Sequence, residues 1–170
     1  MKNFTSLVMG FILSGLILTA CENDDKDIYQ TPSNIEVTRE HSNTDVQLFS
    51  FFVNPRDWRH SSHIDRQVDV LLPCITDSIL KEGAVIIYLN EAGKNVSLPF
   101  TYYQIRRAMS FQPSYEKGHA YVNILGHFIL SMNTSYAFKI LVVNAKALKQ
   151  FKDLNWYNFN AVDSILKKGI

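Results

Sequence analysis

The chain has 170 residues, 46% of them apolar and 12% aromatic, with 17 basic against 16 acidic side chains. That length supports one domain with a real core. So even a charge balance leaves no electrostatic case for nucleic acid as a partner.

Met1-Lys2-Asn3 opens an apolar run from Phe4 to Leu18, broken only by small or hydroxyl residues and closing on Leu18-Thr19-Ala20-Cys21. A membrane-spanning helix needs roughly 20 consecutive apolar residues. This run is shorter and meets Glu22, Asp24 and Asp25, so residues 1–20 read as a cleaved export signal. The segment Leu18-Thr19-Ala20-Cys21 resembles the lipobox of bacterial lipoproteins, which implies a diacylglycerol and palmitate-type acyl chains on Cys21 and a lipid bilayer as the first partner. One acyl chain anchors only marginally, at about 0.8 kcal/mol per buried CH₂, whereas two or three anchor stably. Glu22-Asn23-Asp24-Asp25-Lys26-Asp27 cannot pack, and it resembles the acidic tag of surface-displayed outer-membrane lipoproteins of the Bacteroidetes. That likeness implies a lipid anchor in the outer membrane facing the cell exterior, with the periplasmic face as the alternative.

Residues 21–44 carry Asp, Asn, Ser, Thr and Glu with no apolar period and read as an acidic flexible tether, and the domain is expected over 45–170. Val46 to Val53 is a β-type run stopped by Asn54-Pro55, and Gln67 to Leu72 is a second strand ended by Pro73. With Cys21 lipidated, Cys74 is the remaining thiol, and its apolar neighbours Leu71, Leu72 and Ile75 make it a small buried hydrophobe. Thr76 to Gly83 has a hydroxyl N-cap, one or two helical turns and a glycine placed to end them. Ala84 to Leu89 is a continuous aliphatic run suited to a central strand. The connection Asn90 to Asn95 makes a hairpin with Val96 to Tyr102, whose Pro99 marks an edge or bulge. Tyr103 to Lys117, with Pro113 inside it, reads as a loop or irregular edge. His119 to Leu125 alternates, with Ala120, Val122 and Ile124 on one face and Tyr121, Asn123 and Leu125 on the other. Gly126 bends the chain before Phe128 to Leu130, and Tyr136 to Val143 is the last strand. Ala145 to Phe151 is a short helix, and a C-terminal helix is capped by Asn160, with Val162, Ile165 and Leu166 as its docking residues. Six or seven short strands with one helical insertion and a helical tail predict a mainly β fold, an antiparallel β-sandwich for which an immunoglobulin-like topology is one option.

Trp58, the stretch Ile75 to Leu89, Leu98-Pro99-Phe100-Thr101-Tyr102 and Phe138 to Val143 together resemble a group of uncharacterised Bacteroidetes lipoproteins. The likeness spans about residues 46 to 143, and its motifs are a cap, a strand and a bulge. It implies a β-sandwich and export as a lipoprotein, and it brings no catalytic residues. Gly93-Lys94-Asn95-Val96-Ser97 stands where many members carry a tryptophan.

His60 and His63 are spaced to share a metal if the segment turns once, but zinc needs three or four ligands, and nearby Asp57 and Asp65 are ordinary loop residues. No metal or other cofactor is therefore assigned. The chain has no nucleophile elbow, no His-Glu-x-x-His and no glycine-rich phosphate loop, so no catalytic residue is assigned either. Tyr102, Tyr103, Phe111, Tyr115 and Tyr121, with Arg106 and Arg107 between them, are candidates for an aromatic and basic binding surface, centred on Tyr103, Arg106, Arg107, Phe111 and Tyr115. Packing inside the sandwich is the competing use of those rings. Asp77-Ser78-Ile79 and Asp163-Ser164-Ile165 resemble an O-glycosylation acceptor sequence at Ser78 and Ser164, although Asp and Ser are also favoured at helix starts. These readings converge on a non-catalytic cell-envelope module that binds glycan, peptide or protein. A structural accessory subunit is the alternative, and a hydrolase comes third.

Overall fold

The computed structural model describes residues 28–30, 35–60, 65–104, 107–126 and 134–169. In chain order they form β1 (Ile28–Gln30), β2 (Glu36–Ser42), β3 (Val46–Val53), a 3-10 turn (Pro55–Asp57), β4 (Arg59–His60), β5 (Asp65–Leu71) and helix α1 (Asp77–Glu82). There follow β6 (Ala84–Glu91), β7 (Lys94–Ser97), β8 (Phe100–Gln104), β9 (Arg107–Glu116), β10 (His119–Leu125), β11 (Tyr136–Val143), α2 (Ala145–Gln150) and α3 (Phe159–Leu166). The strands make a β-sandwich of two antiparallel sheets. One is six-stranded, in the order β1-β2-β3-β11-β6-β7, and the other five-stranded, in the order β4-β5-β10-β9-β8. In an immunoglobulin order the last strand lies at a sheet edge, whereas here β11 sits between β3 and β6.

The sheet begins earlier than the tether reading allowed. β2 pairs along β3, with Val37 opposite Phe51 and Thr38 opposite Ser50, and Ile35 and Val37 are buried in the core. A bulge between Arg39 and His41 breaks the alternation, so no apolar period is visible in this stretch. β9 is the second departure. Its inward residues Met109, Phe111, Pro113 and Tyr115 alternate with outward Ser110, Gln112, Ser114 and Glu116, a clean period of two. The proline is tolerated because pairing with β8 stops at Phe100 opposite Phe111, leaving β9 with one neighbour at Pro113. Phe128 to Leu130 lies outside the described residues.

Other turns follow their residues closely. Ala92 and Gly93 have φ of 50° and 81° in the two-residue turn joining β6 to β7, the left-handed pair that a primed hairpin turn requires. Leu98-Pro99 carries the chain from the edge strand of one sheet to the edge strand of the other. Thr76 Oγ1 accepts the Ile79 N–H at 3.3 Å and caps α1. Gly83 ends that helix with φ of −96°, so left-handed geometry is not what it provides. A Cβ there would lie 2.4 Å from the Val143 carbonyl oxygen, so the glycine permits a close backbone approach. α3 is capped by Asn158, which accepts from the Asn160 and Ala161 N–H groups, so it starts ahead of the predicted Asn160 cap.

The six-stranded sheet is covered on both faces. Phe49, Phe51, Ile87, Phe138 and Ile140 meet Val68, Val70, Phe111, Val122 and Ile124 of the other sheet. Val46, Leu48, Ile86, Tyr88 and Leu141 point the other way and lie under Trp156, Phe159, Val162 and Leu166 of the helical tail. Strands buried on both faces read as continuous apolar runs, which is why Ala84 to Leu89 shows no alternation. Tyr88 is fully buried, donates its hydroxyl hydrogen to the Trp156 carbonyl and meets Phe159 edge-on at 5.0 Å. Cys74 is half-buried and packs against the main core, and burial pushes its thiol pKa up to about 11. Among the described residues no helix is long and apolar enough to cross a membrane.

Candidate functional site

The five-stranded sheet buries one face and leaves the other bare. Alternation sends Val68, Val70, Ala120, Val122, Ile124 and Phe111 inward, so the residues between them must point outward. Register then lines these up across strands. Leu71, His119 and Glu116 form one row; Asp69, Tyr121 and Ser114 the next; Arg59, Gln67, Asn123 and Gln112 a third; and Asp65, Leu125, Ser110 and Thr101 a fourth. Tyr103, opposite Ala108, continues the face on edge strand β8.

Cross-strand hydrogen bonds hold these rows. Gln67 Nε2 donates to Asn123 Oδ1 at 2.8 Å, and Asn123 Nδ2 donates to Ser114 Oγ at 3.0 Å. Thr101 Oγ1 donates to Ser110 Oγ at 3.2 Å. At one end His119 Nδ1 lies 2.8 Å from Asp69 Oδ1, its ring stacked on Tyr121 at 6.0 Å and 10°. Tyr121 donates its hydroxyl hydrogen to Glu116, which pushes the phenol pKa up to about 12. The result is a flat lattice of amides, hydroxyls, carboxylates and rings, pre-oriented by mutual bonds. Such groups can donate to and accept from a polyhydroxylated ligand laid across them. Tyr103, 80% exposed, presents an uncovered ring beside the small Ala108.

The surface predicted around Tyr103, Arg106, Arg107, Phe111 and Tyr115 does not form as one patch. Phe111 is 1% exposed and belongs to the core. Tyr115 shares its inward parity and packs against the core, where burial raises its phenol pKa. The cause is strand alternation in a segment that lacks the loop character assigned to it. Tyr103 does face outward, Arg107 opens β9, and Arg106 lies outside the described residues. Tyr121 belongs to the outward lattice instead. Cys21 also lies outside the described residues. Ser78 is exposed in the first turn of α1, and Ser164 is exposed in α3 with its hydroxyl donating to the Ala161 carbonyl at 2.8 Å.

His60 is exposed on β4, and His63 lies outside the described residues. Asp57 is engaged in the turn, where its carboxylate accepts the Asn54 N–H at 2.7 Å, and Asp65 sits opposite Leu125. Among the described residues no three His, Cys, Asp or Glu side chains gather as metal ligands would. Only the central strand of the outward lattice was visible, as the Tyr121, Asn123 and Leu125 face of β10. Its partners on β5 were not, because Gln67 and Asp69 lie 56 and 50 residues away in sequence from Asn123 and His119, and those on β9 were hidden in a segment that reads as a loop. No family model matches the chain, and neither a curated protein nor a solved structure matches it.

Proposed function

We propose that this chain is a lipid-anchored, non-catalytic module of the cell envelope, akin to the Bacteroidetes lipoproteins it resembles, that binds glycan on the open face of its five-stranded sheet. One observation carries the reading. The six-stranded sheet is roofed by helices, whereas the outward face of its partner keeps an ordered polar lattice with a ring at each end, His119 stacked on Tyr121 and exposed Tyr103. On that face Asp69 is engaged by His119 and Glu116 by Tyr121, an arrangement that orients a binding surface. A glycan array read with wild type, Asn123→Ala and Tyr103→Ala tests it. Retention of a glycan that both changes weaken, with melting nearly unchanged, supports the face, and equal retention by all three removes it.

The anchor reading places the mature chain in the outer membrane through Cys21, displayed outward by Asp24, Asp25 and Asp27. Cys21→Ser should abolish labelling with a palmitate analogue and release the protein from membranes. Replacing the three aspartates by alanine should change protease access on intact cells. A second reading, an accessory subunit of an envelope complex, is favoured by Phe52, 67% exposed on the outward side of β3, and by Tyr157, 64% exposed. Co-purification of a stoichiometric protein that Phe52→Ser releases would support it.

A further inference from the structure

The six arginines of the chain are unevenly placed. Arg56 lies in the 3-10 turn, Arg59 on β4 and Arg66 at the start of β5, and Arg107 opens β9. Register puts them at one end of the five-stranded sheet, since His60 pairs with Arg66, Arg66 with Ile124, and Ile124 with Phe111. Four lysines elsewhere are matched with acids: Lys117 with Asp77, Lys139 with Glu40, Lys146 with Asp45 and Lys167 with Asp163. No such ion pair reaches Arg56 or Arg66 among the described residues.

Two buried donors at this end lack acceptors. Trp58 is 4% exposed and its Nε1 has no hydrogen-bond partner, and the buried Nε of Arg66 has none either. Arg66 precedes the inward Val68 by two positions and lies opposite inward Ile124, so its side chain leaves β5 on the inward side, and Trp58, between the 3-10 turn and β4, is buried in that same core. Tyr136 of the facing sheet stands edge-on to Trp58 at 6.3 Å, so the indole lies where the two sheets meet. Indole N–H and guanidinium are donors only. A buried donor without an acceptor costs stability that an acceptor would recover, and a guanidinium fork fits an oxyanion better than an ammonium does.

We propose that this end of the sandwich binds an oxyanion, a carboxylate, sulfate or phosphate group of a ligand, held by the Arg66 guanidinium and the Trp58 indole N–H. The site stands apart from the glycan reading, because it faces inward and uses none of the lattice residues. The test titrates the full, ¹⁵N-labelled chain in detergent micelles with sodium acetate, sulfate and phosphate in turn, at constant ionic strength against chloride. The two indole N–H signals, assigned with Trp58→Phe, are followed. Trp58 should shift saturably with at least one anion while Trp156, in the helical layer, stays still. Arg66→Gln should then raise the midpoint about tenfold, the loss of one charge-assisted hydrogen bond. The identity of the shifting anion separates carboxylate from sulfate and phosphate ligands. Absence of a saturable Trp58 shift with all three anions overturns the site, as expected if that N–H only faces the neighbouring rings. A shift that Arg66→Gln leaves unchanged overturns it as well. Where Arg66→Gln disturbs the Trp156 signal of the folded chain, Arg66→Lys, which keeps charge and stem but not the fork, decides in its place.

Discussion

The two sheets share one core, and what lies on their far sides separates them. Beyond the six-stranded sheet, Ile86, Tyr88 and Leu141 meet the helical tail, and their strands are apolar on both faces. Beyond the five-stranded sheet, the equivalent layer is polar: Gln67 bonds to Asn123, Asn123 to Ser114, Asp69 to His119 and Tyr121 to Glu116. A face with no roof must satisfy its own polar groups or leave them to water. This one satisfies many of them laterally, which ties its side chains across the strands. The tail is thus a structural layer of the domain, and the uncovered face is the one on which we propose that ligand binds.

Substitutions that break the comparison start on the roofed side. Tyr88→Ala should cost about 3–5 kcal/mol, since it removes a fully buried ring and its contact with Phe159. Urea denaturation would report this, and Tyr88→Phe, which loses only the hydroxyl donor to the Trp156 carbonyl, should cost about 1 kcal/mol. Gly83→Ala comes next, at about 1–3 kcal/mol, because the added methyl meets the Val143 carbonyl and the backbone must shift. A melting temperature equal to wild type would show that α1 can slide away from β11.

Alkaline pH acts on the buried side in the same direction. The Cys74 thiol is held protonated to about 11 against an ordinary 9.0, and the Tyr88 and Tyr115 phenols are raised above their ordinary 10.0, all chiefly by burial. Between about pH 9 and 11 the unfolded chain therefore sheds protons that the folded chain keeps, and stability falls as pH rises. Urea midpoints measured at pH 7 and pH 10 check this sign, and Cys74→Ala should flatten the early part of the decline.

The smallest effects belong to the open face. Asn123→Ala gives up side-chain bonds to Gln67 and Ser114 on a partly wet surface and should cost about 1 kcal/mol. Tyr103→Ala should change stability by no more than about 0.5 kcal/mol, its ring being 80% exposed. A loss of several kcal/mol at either position would erase the distinction between the faces.

Local pattern carried much of this fold. The alternation of His119 to Leu125, the hairpin at Ala92-Gly93, the Thr76 cap and the unbroken run into Leu89 each encode their geometry within a few residues. The misread segments are those where local rules conflict. Ile35 and Val37 lead into a bulge that hides β2 inside a polar stretch, and Pro113 disguises a strand in which Met109, Phe111, Pro113 and Tyr115 all face inward. The outward polar face was hardest to see, because it exists only after β5, β10 and β9 are set side by side. No spacing within one strand shows that Asp69 will reach His119 or that Gln67 will reach Asn123.

If Cys21 is acylated as proposed, the early pairing of β1 with β2 limits how far the domain can stand from a bilayer. Six residues, 22–27, separate Cys21 from Ile28, where the sheet begins. With acyl chains on Cys21, that leash spans at most about 25 Å fully extended. The edge of the six-stranded sheet that starts at β1 is then the membrane-proximal edge. At about 4.8 Å per strand, β7 stands some 24 Å further out across the sheet. With the proposed anchor on Cys21, a connection of that length would hold the domain within a thin shell above the headgroups.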